Sequence, residues 1–406
     1  MKKRKLLAAA TILSLTLIFT LALTACDLDD NAGNSKNNDG SITGVDSTNT
    51  GNNSDSPNLD TDAKENKDID TNTGNKDGTD TNEDENLRVG DFFPFQKDIH
   101  MKFKGIGNEY AEYETYVEFI DGNVMQIRNL NPGTNLAMVY EIKDGELRLN
   151  FSKGEVYYRY DFTDTKDADR VEVLIKEPIK KGATWTLKDG TKRSITEVSK
   201  EISTPAGNYT ALEITSEYEN SFVTDYYVKD LGHVKRVFKS KDDDYTVTSE
   251  LEKIEKDVPF KEKIRFFYPD FMNGRLAYID REIELFTNHD IKNFFEKELK
   301  NVPEGSQLKK ALSENTRLLN IIIDEPLGGI IGSVVVDFSK ELVNEMNAGT
   351  SLEGMIITSI TNTFGGYYQT SKVKITLDGK PYESGHFLLK PDEFFTVDTE
   401  NSYEYK

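Results

Sequence analysis

Apolar and polar residues alternate with a period of two along most of residues 88–257. In one segment Tyr113, Val117 and Phe119 share a face, whereas Glu118 lies on the other. Alternation of this kind is typical of a strand with one face buried and the other in water. Asp-Gly pairs between such segments favour tight hairpin turns. The pattern therefore predicts an antiparallel meander of eight to ten strands, folded as a half-barrel or as a strongly curved sheet.

Aromatic residues recur on these predicted strands. In the segment 156–162, Tyr158 and Phe162 are predicted to face the interior, and Tyr157 and Arg159 to face the solvent. Exposed aromatic rings can stack on sugars or hold a protein partner. Packing between neighbouring strands is the simpler explanation of so many rings in a β-rich segment.

From about residue 260 the pattern becomes a mixture of helical and extended segments. Apolar residues at helical spacing predict a helix from Asp290 to Leu299. A longer helix is predicted to begin at Thr350, where Glu353 completes a capping box, and to end at Gly365-Gly366. The other predicted elements are a short helix at 308–312 and strands at 264–268, 276–283, 318–323, 333–338 and 373–377.

These patterns together predict an α+β fold with two folded regions. The first, residues 88–257, is an all-β antiparallel meander or half-barrel. The second, residues 260–395, is a small two-layer α/β domain. Residues 396–406 are predicted to be a flexible C-terminal tail.

The N-terminus has the pattern of an export signal. Basic residues at positions 2–5 precede the uncharged apolar run 6–23, which is typical of a secretory signal peptide. The run ends in Leu23-Thr24-Ala25-Cys26, which resembles the bacterial lipobox. That resemblance implies a signal peptide over residues 1–25 and a mature chain that begins at Cys26, the lipid attachment residue. The alternative is an uncleaved membrane anchor in which Cys26 has no role.

Residues 26–87 are predicted to be a disordered acidic tether that begins at the lipidated cysteine. From residue 27 to 87 this segment has no aromatic residue and carries 16 acidic and 4 basic side chains. Low hydrophobicity combined with high net charge cannot offset the entropy of ordering a chain. A flexible chain of this length spans on the order of 45 Å, so the folded regions would lie well away from the membrane.

Composition excludes several classes of function. The chain carries 71 acidic and 50 basic residues, a net charge of −21, which argues against a nucleic-acid partner. It has one cysteine and four histidines that are far apart in sequence, which leaves little material for a metal centre. None of the common nucleophile, phosphate-loop or zinc-protease motifs is present. We therefore predict no catalytic residue, no metal site and no cofactor.

The C-terminal region resembles the GerMN (sporulation and spore germination) domain family. The resemblance rests on the segments that contain Tyr268-Pro269, Asp337-Phe338-Ser339 and Gly385-His386, and on the strand 373–377. It implies a compact α/β domain in an extracytoplasmic and often lipid-anchored protein that is linked to spore formation or germination. The family has no known catalytic residues, so the resemblance transfers none.

The leading functional hypothesis is a non-enzymatic, lipid-anchored protein on the outer face of the cytoplasmic membrane. A diacylglyceryl-cysteine would hold it to the membrane, and the GerMN-like domain would bind an envelope protein or a second copy of the chain. The alternative is a ligand-binding lipoprotein whose concave sheet holds an apolar or glycan ligand. A remote alternative is a cell-wall hydrolase, which would need a pair of carboxylates brought together only by the fold.

Overall fold

A computed structural model describes residues 87–167, 171–325 and 331–406, and these residues belong to one compact unit. The predicted signal peptide, lipobox and acidic tether lie outside the described residues. The described part is mostly β-structure, with a large antiparallel sheet followed by a smaller α/β region. It therefore confirms the predicted α+β class.

The first region is one sheet of twelve antiparallel strands, more than the eight to ten predicted. Along the sheet the strand order is β6-β5-β4-β3-β2-β1-β12-β11-β10-β9-β8-β7, so every neighbour is also a neighbour in sequence except the pair β1 and β12. The strands are β1 Ile99–Ile106, β2 Tyr113–Asp121, β3 Val124–Leu130, β4 Asn135–Lys143, β5 Glu146–Lys153, β6 Glu172–Lys176, β7 Thr184–Thr186, β8 Lys192–Thr204, β9 Gly207–Glu217, β10 Ser221–Val228, β11 Gly232–Ser240 and β12 Thr246–Lys256.

The sheet curls until its two edge strands, β6 and β7, come close to each other. The indole Nε1 of Trp185 on β7 donates a hydrogen bond to the carbonyl oxygen of Val173 on β6, at 3.0 Å. The guanidinium Nη1 of Arg193 donates to the same oxygen at 2.7 Å. Side chains therefore join the two edges, and the sheet is a nearly closed barrel with an interior.

The predicted strand at 156–162 does not pair with any described strand, and its prediction was wrong. Side chains of β3 occupy the backbone groups that a neighbouring strand would use. Arg128 donates to the carbonyl oxygens of Val156 and Tyr158, at 2.8 and 2.6 Å. The Arg159 side chain, predicted to face the solvent, is 1% exposed. Tyr157 is exposed as predicted.

The second region contains two small sheets and two substantial helices. One sheet has the order β13-β14-β20, and the other β15-β16-β17-β18 with β19 paired to β17. Its strands are β13 Phe260–Asp270, β14 Arg275–Leu285, β15 Leu318–Asp324, β16 Ser333–Phe338, β17 Lys372–Leu377, β18 Lys380–Pro381, β19 Phe395–Thr396 and β20 Ser402–Glu404. The helices of the described residues are α1 Val89–Phe92, α2 Ile291–Leu299, α3 Glu341–Asn344 and α4 Thr350–Tyr367.

Helix α2 begins as predicted, because the Asp290 carboxylate accepts the backbone N–H of Lys292 at 2.9 Å. The predicted helix at 308–312 does not form. The backbone N–H groups of Ala311 and Leu312 both donate to the carbonyl oxygen of Leu299, at the C-terminal end of α2. These donors complete α2 and so are not available for a helix of their own.

Helix α4 and the C-terminus also differ from the sequence prediction. The predicted cap partner Glu353 is buried, and Gly349 is the N-cap residue. Residues 396–406, predicted as a flexible tail, contain β20, which pairs in parallel with β14. The Tyr403 hydroxyl donates to the Asp270 carboxylate at 2.7 Å. These contacts hold a segment whose polar composition alone gives no sign of order.

The sheet and the α/β region share one hydrophobic core. Ala137 and Val139 on β4 belong to the same buried cluster as Phe295 and Phe364 of helices α2 and α4. Burial of this apolar surface on both sides stabilises each region against the other, at about 25 cal/mol per Å² removed from water.

A buried ion cluster also joins the two regions; it consists of Glu118, Arg128, Arg159 and Glu262. Arg128 Nε donates to Glu118 Oε1 at 2.7 Å, and both side chains are almost fully buried. Arg159 donates to backbone carbonyl oxygens of residues 118, 286 and 289. The Tyr367 hydroxyl donates to Glu262 at 2.9 Å. Every charge of the cluster thus has a partner of opposite charge or a hydrogen bond.

Glu262 should make stability depend on pH. Burial raises the pKa of Glu262 from 4.5 to about 7, although the charge of Arg128 and the hydrogen bond from Tyr367 lower it. As pH rises from about 4.5 to 7, the unfolded chain loses this proton before the folded chain does. The free energy of unfolding should therefore fall across this window, by up to about 3 kcal/mol.

Urea denaturation at several pH values measures this effect. The variant Glu262→Gln cannot titrate at this position, so its free energy of unfolding should not show this part of the fall. From pH 5 to pH 8 the variant should therefore become increasingly stable relative to the parent. The exposed neighbour Lys263→Gln is the matched control. A constant difference between Glu262→Gln and the parent over the whole range would contradict the assignment.

Candidate functional site

The inner face of the curved sheet encloses a cavity of about 260 Å³. Side chains from the loop after α1 and from most strands of the sheet line it. It is therefore the open concavity that the ligand-binding alternative requires, since the side chains of the sheet do not fill it. The cavity has an apolar part and a polar part.

The apolar part is built from methionine, leucine and phenylalanine side chains. They come from strands β3, β4, β5 and β6 and from the segment after α1, and they include Phe93, Met125, Met138, Leu149 and Leu174. The period-two alternation of these strands puts them on the inner face. Methionine is flexible and polarisable, so such a wall adapts to ligands of different shape.

The polar part is centred on an ion pair between β10 and β11. The Asp225 carboxylate accepts two hydrogen bonds from Arg236, from Nε at 2.7 Å and from Nη2 at 3.1 Å. It also lies 2.9 Å from Nε2 of His233. Burial alone would raise the pKa of Asp225, but the Arg236 charge and the His233 hydrogen bond outweigh burial and hold the pKa well below its usual range. Asp225 is therefore an ionised carboxylate inside the sheet.

A second ion pair lies beside the first. Arg193 Nη2 donates to the Glu172 carboxylate at 2.5 Å, and Arg193 Nε donates to the Ser216 hydroxyl at 2.7 Å. Arg193 and Glu172 line the cavity, whereas Ser216 lies behind Arg193. In this part of the site the positive charges of two arginines are thus balanced by the negative charges of two carboxylates.

Tyrosine hydroxyls surround the ion pairs. Tyr113, Tyr218 and Tyr227 line the cavity, and none of their hydroxyls hydrogen-bonds to any residue that the structure describes. Burial raises the pKa of Tyr113 and of Tyr227. These phenols therefore stay protonated at neutral pH and can donate hydrogen bonds to a guest.

Sequence reasoning expected a concave sheet but did not identify these residues. The available signal was a charged residue on the inner face of a strand, because Val223, Asp225 and Tyr227 alternate along β10. That signal was not read as a site, since Asp225 acquires its partners only through the register of β10 against β11.

The GerMN-like motif residues build the framework of the second region. Tyr268 is fully buried, and its hydroxyl donates to the carbonyl oxygen of Glu298 at 2.8 Å. Pro269 lies in β13 next to it. Asp337 accepts from the Thr376 hydroxyl and the Gly379 N–H, at 2.6 and 2.8 Å, which fixes the turn after β17.

The other motif residues divide between core and surface. Phe338 is fully buried, and the Ser339 hydroxyl accepts the backbone N–H of Arg317 at 3.0 Å. Gly385 and His386 instead line an open cleft of about 410 Å³ beside α3 and the start of α4. The structure therefore brings the motif residues into one region without gathering them into one site.

The cleft contains a buried glutamate, Glu353, that sequence reasoning had placed in a helix cap. His386 Nδ1 lies 2.5 Å from its Oε2, and the Tyr382 hydroxyl donates to its Oε1 at 2.8 Å. Burial alone would raise the pKa of Glu353, but hydrogen bonds from Ser384, His386 and Tyr382 lower it. The carboxylate holds the loop 382–386 against α4.

The described residues contain neither a helix that could cross a membrane nor a cluster of metal ligands. No helix within residues 87–167, 171–325 and 331–406 is long and apolar enough to cross a membrane. Within the same ranges no group of three or more His, Cys, Asp or Glu side chains could hold a metal ion.

Several solved structures align with parts of this chain at low similarity. An exported protein with a YmcC-like fold from Bacteroides fragilis is 14% identical with a TM-score of 0.27, over 41% of this chain and 99% of its own. A protein described as a lipoprotein from Clostridium perfringens is 17% identical with a TM-score of 0.23, over 34% of this chain and 88% of its own. The tandem GerMN domains of the sporulation protein GerM from Bacillus subtilis are 18% identical with a TM-score of 0.23, over 34% of this chain and 45% of theirs.

A comparison with curated proteins gives no match. A family model does match: residues 266–383 fit the Germane family, described as sporulation and spore germination. The match begins inside β13 and ends after β18. It includes the motif residues Tyr268, Pro269, Asp337, Phe338 and Ser339, whereas Gly385 and His386 follow it. The chain therefore carries a Germane (GerMN) domain of the sporulation and spore germination family over residues 266–383.

Proposed function

We propose that this protein is a non-enzymatic, lipid-anchored protein outside the cytoplasmic membrane, and that its Germane domain mediates protein–protein assembly in sporulation, germination or the cell envelope. The observation that carries the proposal is the Germane domain itself, at residues 266–383. The lipobox-like residues Leu23 to Cys26 and the acidic segment after them support the anchoring. A lipid on Cys26 would tie the domain to the membrane surface.

The edge strand β15 is the surface of the Germane domain best suited to such assembly. It stands at the end of its sheet, and no described strand pairs with its outer side. Side chains of α2 bind its backbone at Leu318 and Leu319, so the part from residue 320 onward is the part open to a partner strand. Two of its apolar side chains, Leu319 and Ile322, are 42% and 48% exposed. An exposed sheet edge with apolar side chains can accept a strand from another protein.

Crosslinking in cells tests anchoring and assembly together. A photoreactive amino acid at Ile322 in the full chain should capture one discrete protein, either a second copy or another envelope protein, and a fatty-acid label should appear on the chain. The variant Cys26→Ala should lose the label and most of the crosslink, because the domain is no longer held at the membrane surface.

The matched control carries the photoreactive amino acid at Lys297, an exposed position on α2 of the same domain. It should capture far less of the same partner. Equal capture from both positions, or no discrete product from either, would refute the role of β15. A fully unlabelled parent chain would refute the anchor.

A second candidate function is the binding of a small ligand in the cavity of the curved sheet. The specific observation that favours it is the open interior of about 260 Å³, with its unpaired tyrosine hydroxyls beside apolar walls. Ligand pockets are usually of this kind, mostly apolar with a few convergent polar groups.

A further inference from the structure

We propose that the sheet cavity binds a small amphipathic carboxylic acid, with its carboxylate at Arg236 and its apolar body along Met138, Leu149 and Phe93. This inference rests on the second function proposed above, and it adds the chemical class and the orientation of the ligand. Three features of the cavity carry it: an arginine with unused donors, several further unused hydrogen-bond donors near it, and an apolar wall of limited size.

Arg236 is available to a ligand, whereas its partner Asp225 is not. The Arg236 side chain is 42% exposed and the Asp225 side chain 4% exposed. Two of the guanidinium nitrogens, Nε and Nη2, bind Asp225, and Nη1 hydrogen-bonds to no residue that the structure describes. Because arginine binds carboxylates through several N–H groups at once, its free edge favours an acidic guest.

Near Arg236 the polar part of the cavity offers several unused donors, beside one carboxylate, that of Glu172, which binds Arg193 through Oε1. Both oxygens of Asp225 are already used by Arg236 and His233. The hydroxyls of Tyr113, Tyr218 and Tyr227 have no described protein partner, and burial keeps the first and last of them protonated. A ligand head that only accepts hydrogen bonds satisfies these groups, and a carboxylate is such a head.

The remaining wall determines what the rest of the ligand can be. Met125, Met138, Leu149 and Leu174 present no hydrogen-bonding groups of note, so a sugar that lies along them would leave hydroxyls unpaired at a cost. The uncharged polar residues of the wall other than tyrosine and histidine are Gln96, Thr115, Asn129, Asn131 and Ser249. The volume of about 260 Å³ lies just below the usual range for ligand pockets, about 300–1,000 Å³. A single short chain or one aromatic ring therefore fits better than a two-chain lipid.

Calorimetric titration of the full chain in phospholipid nanodiscs, with empty nanodiscs as the blank, tests the inference. The probes are 4-phenylbutanoate, its neutral counterpart 4-phenylbutan-1-ol, and a chitin oligosaccharide. The acid should bind at least tenfold more tightly than the alcohol, and the oligosaccharide should not bind. The paired variant Asp225→Asn/Arg236→Gln, which avoids an unpaired buried charge, should remove the preference for the acid.

Two tryptophan variants test whether the probes bind in the cavity or elsewhere on the protein surface. Met138→Trp fills the lumen and should reduce binding of both phenyl probes at least tenfold. Lys239→Trp, on the outer face of β11, should leave both affinities unchanged. Thermal melting checks the fold of each variant, and if the paired variant does not fold, the comparison of acid with alcohol and the Met138→Trp result still decide.

The possible failures are distinguishable. If no probe binds the parent chain, the second proposed function is wrong. If acid and alcohol bind equally and Met138→Trp blocks both, the cavity binds ligands but the assignment of a carboxylate to Arg236 is overturned. Binding of the oligosaccharide alone would overturn the amphipathic acid and favour a glycan.

Discussion

Replacing Arg128 with methionine should lower the free energy of unfolding by about 3–5 kcal/mol, because the buried Glu118 carboxylate loses its hydrogen-bonded arginine and keeps only the more distant Arg159, at 3.8 Å. Arg128 is 1% exposed and makes three short hydrogen bonds, one to Glu118 and two to the backbone of residues 156 and 158. Its loss also removes two of the hydrogen bonds that hold the segment 156–162, which has no strand partner. Urea denaturation followed by circular dichroism measures the change.

Arg265→Met is the matched control for this prediction. Arg265 also pairs with a carboxylate through two hydrogen bonds, to Asp280 at 2.8 and 3.2 Å, but its side chain is 49% exposed. Exposed pairs contribute about 0–1 kcal/mol. The double variant Glu118→Gln/Arg128→Met should regain part of the loss. Equal losses for Arg128→Met and Arg265→Met would show that burial of the cluster does not matter.

Substituting alanine for Gly365 should destabilise the chain by about 1–3 kcal/mol, since overpacking forces neighbouring groups to move. A Cβ atom at Gly365 would lie 2.2 Å from Cγ2 of Val397 and 2.8 Å from the carbonyl oxygen of Thr370. The Thr370 carbonyl belongs to the backbone and cannot turn away. Thermal and urea denaturation of the purified chain report the loss.

The next residue in the helix provides the control. A Cβ atom at Gly366 would meet nothing within 4 Å, so Gly366→Ala should be neutral or stabilise the chain by up to about 1 kcal/mol, as alanine favours helix over glycine. A loss of similar size at both positions would show that contact with Val397 and Thr370 does not explain the effect, since helix propensity alone favours alanine at both.

Local patterns predicted the elements whose stability depends on local contacts. The alternation along β2 and the apolar spacing of α2 are visible in sequence, and both elements form. Gly365-Gly366 was read as a helix end, but α4 continues to Tyr367. Gly365 allows the helix to pack closely against Val397. Because the two residues are far apart in sequence, their contact leaves no local pattern.

The candidate site depended on information that alternation does not contain. The period-two alternation predicted that Arg159 and Glu118 face the solvent. The fold buries both side chains, because the second region covers the outer face of the sheet where Glu118 lies. The cavity needs the pairing of β1 with β12, strands that are far apart in the chain, and the approach of the edge strands β6 and β7. Which polar residues meet inside follows from that register, and no local rule sets it.

Strand β4 has a double role with a thermodynamic consequence. Its Met138 and Tyr140 line the cavity, whereas Ala137 and Val139 on its opposite face belong to the core shared with the Germane domain. A guest that displaces this strand would therefore also perturb the domain's interior. Linkage then requires reciprocity: whatever change in guest affinity a docked partner causes, the guest must cause the same change in affinity for the partner.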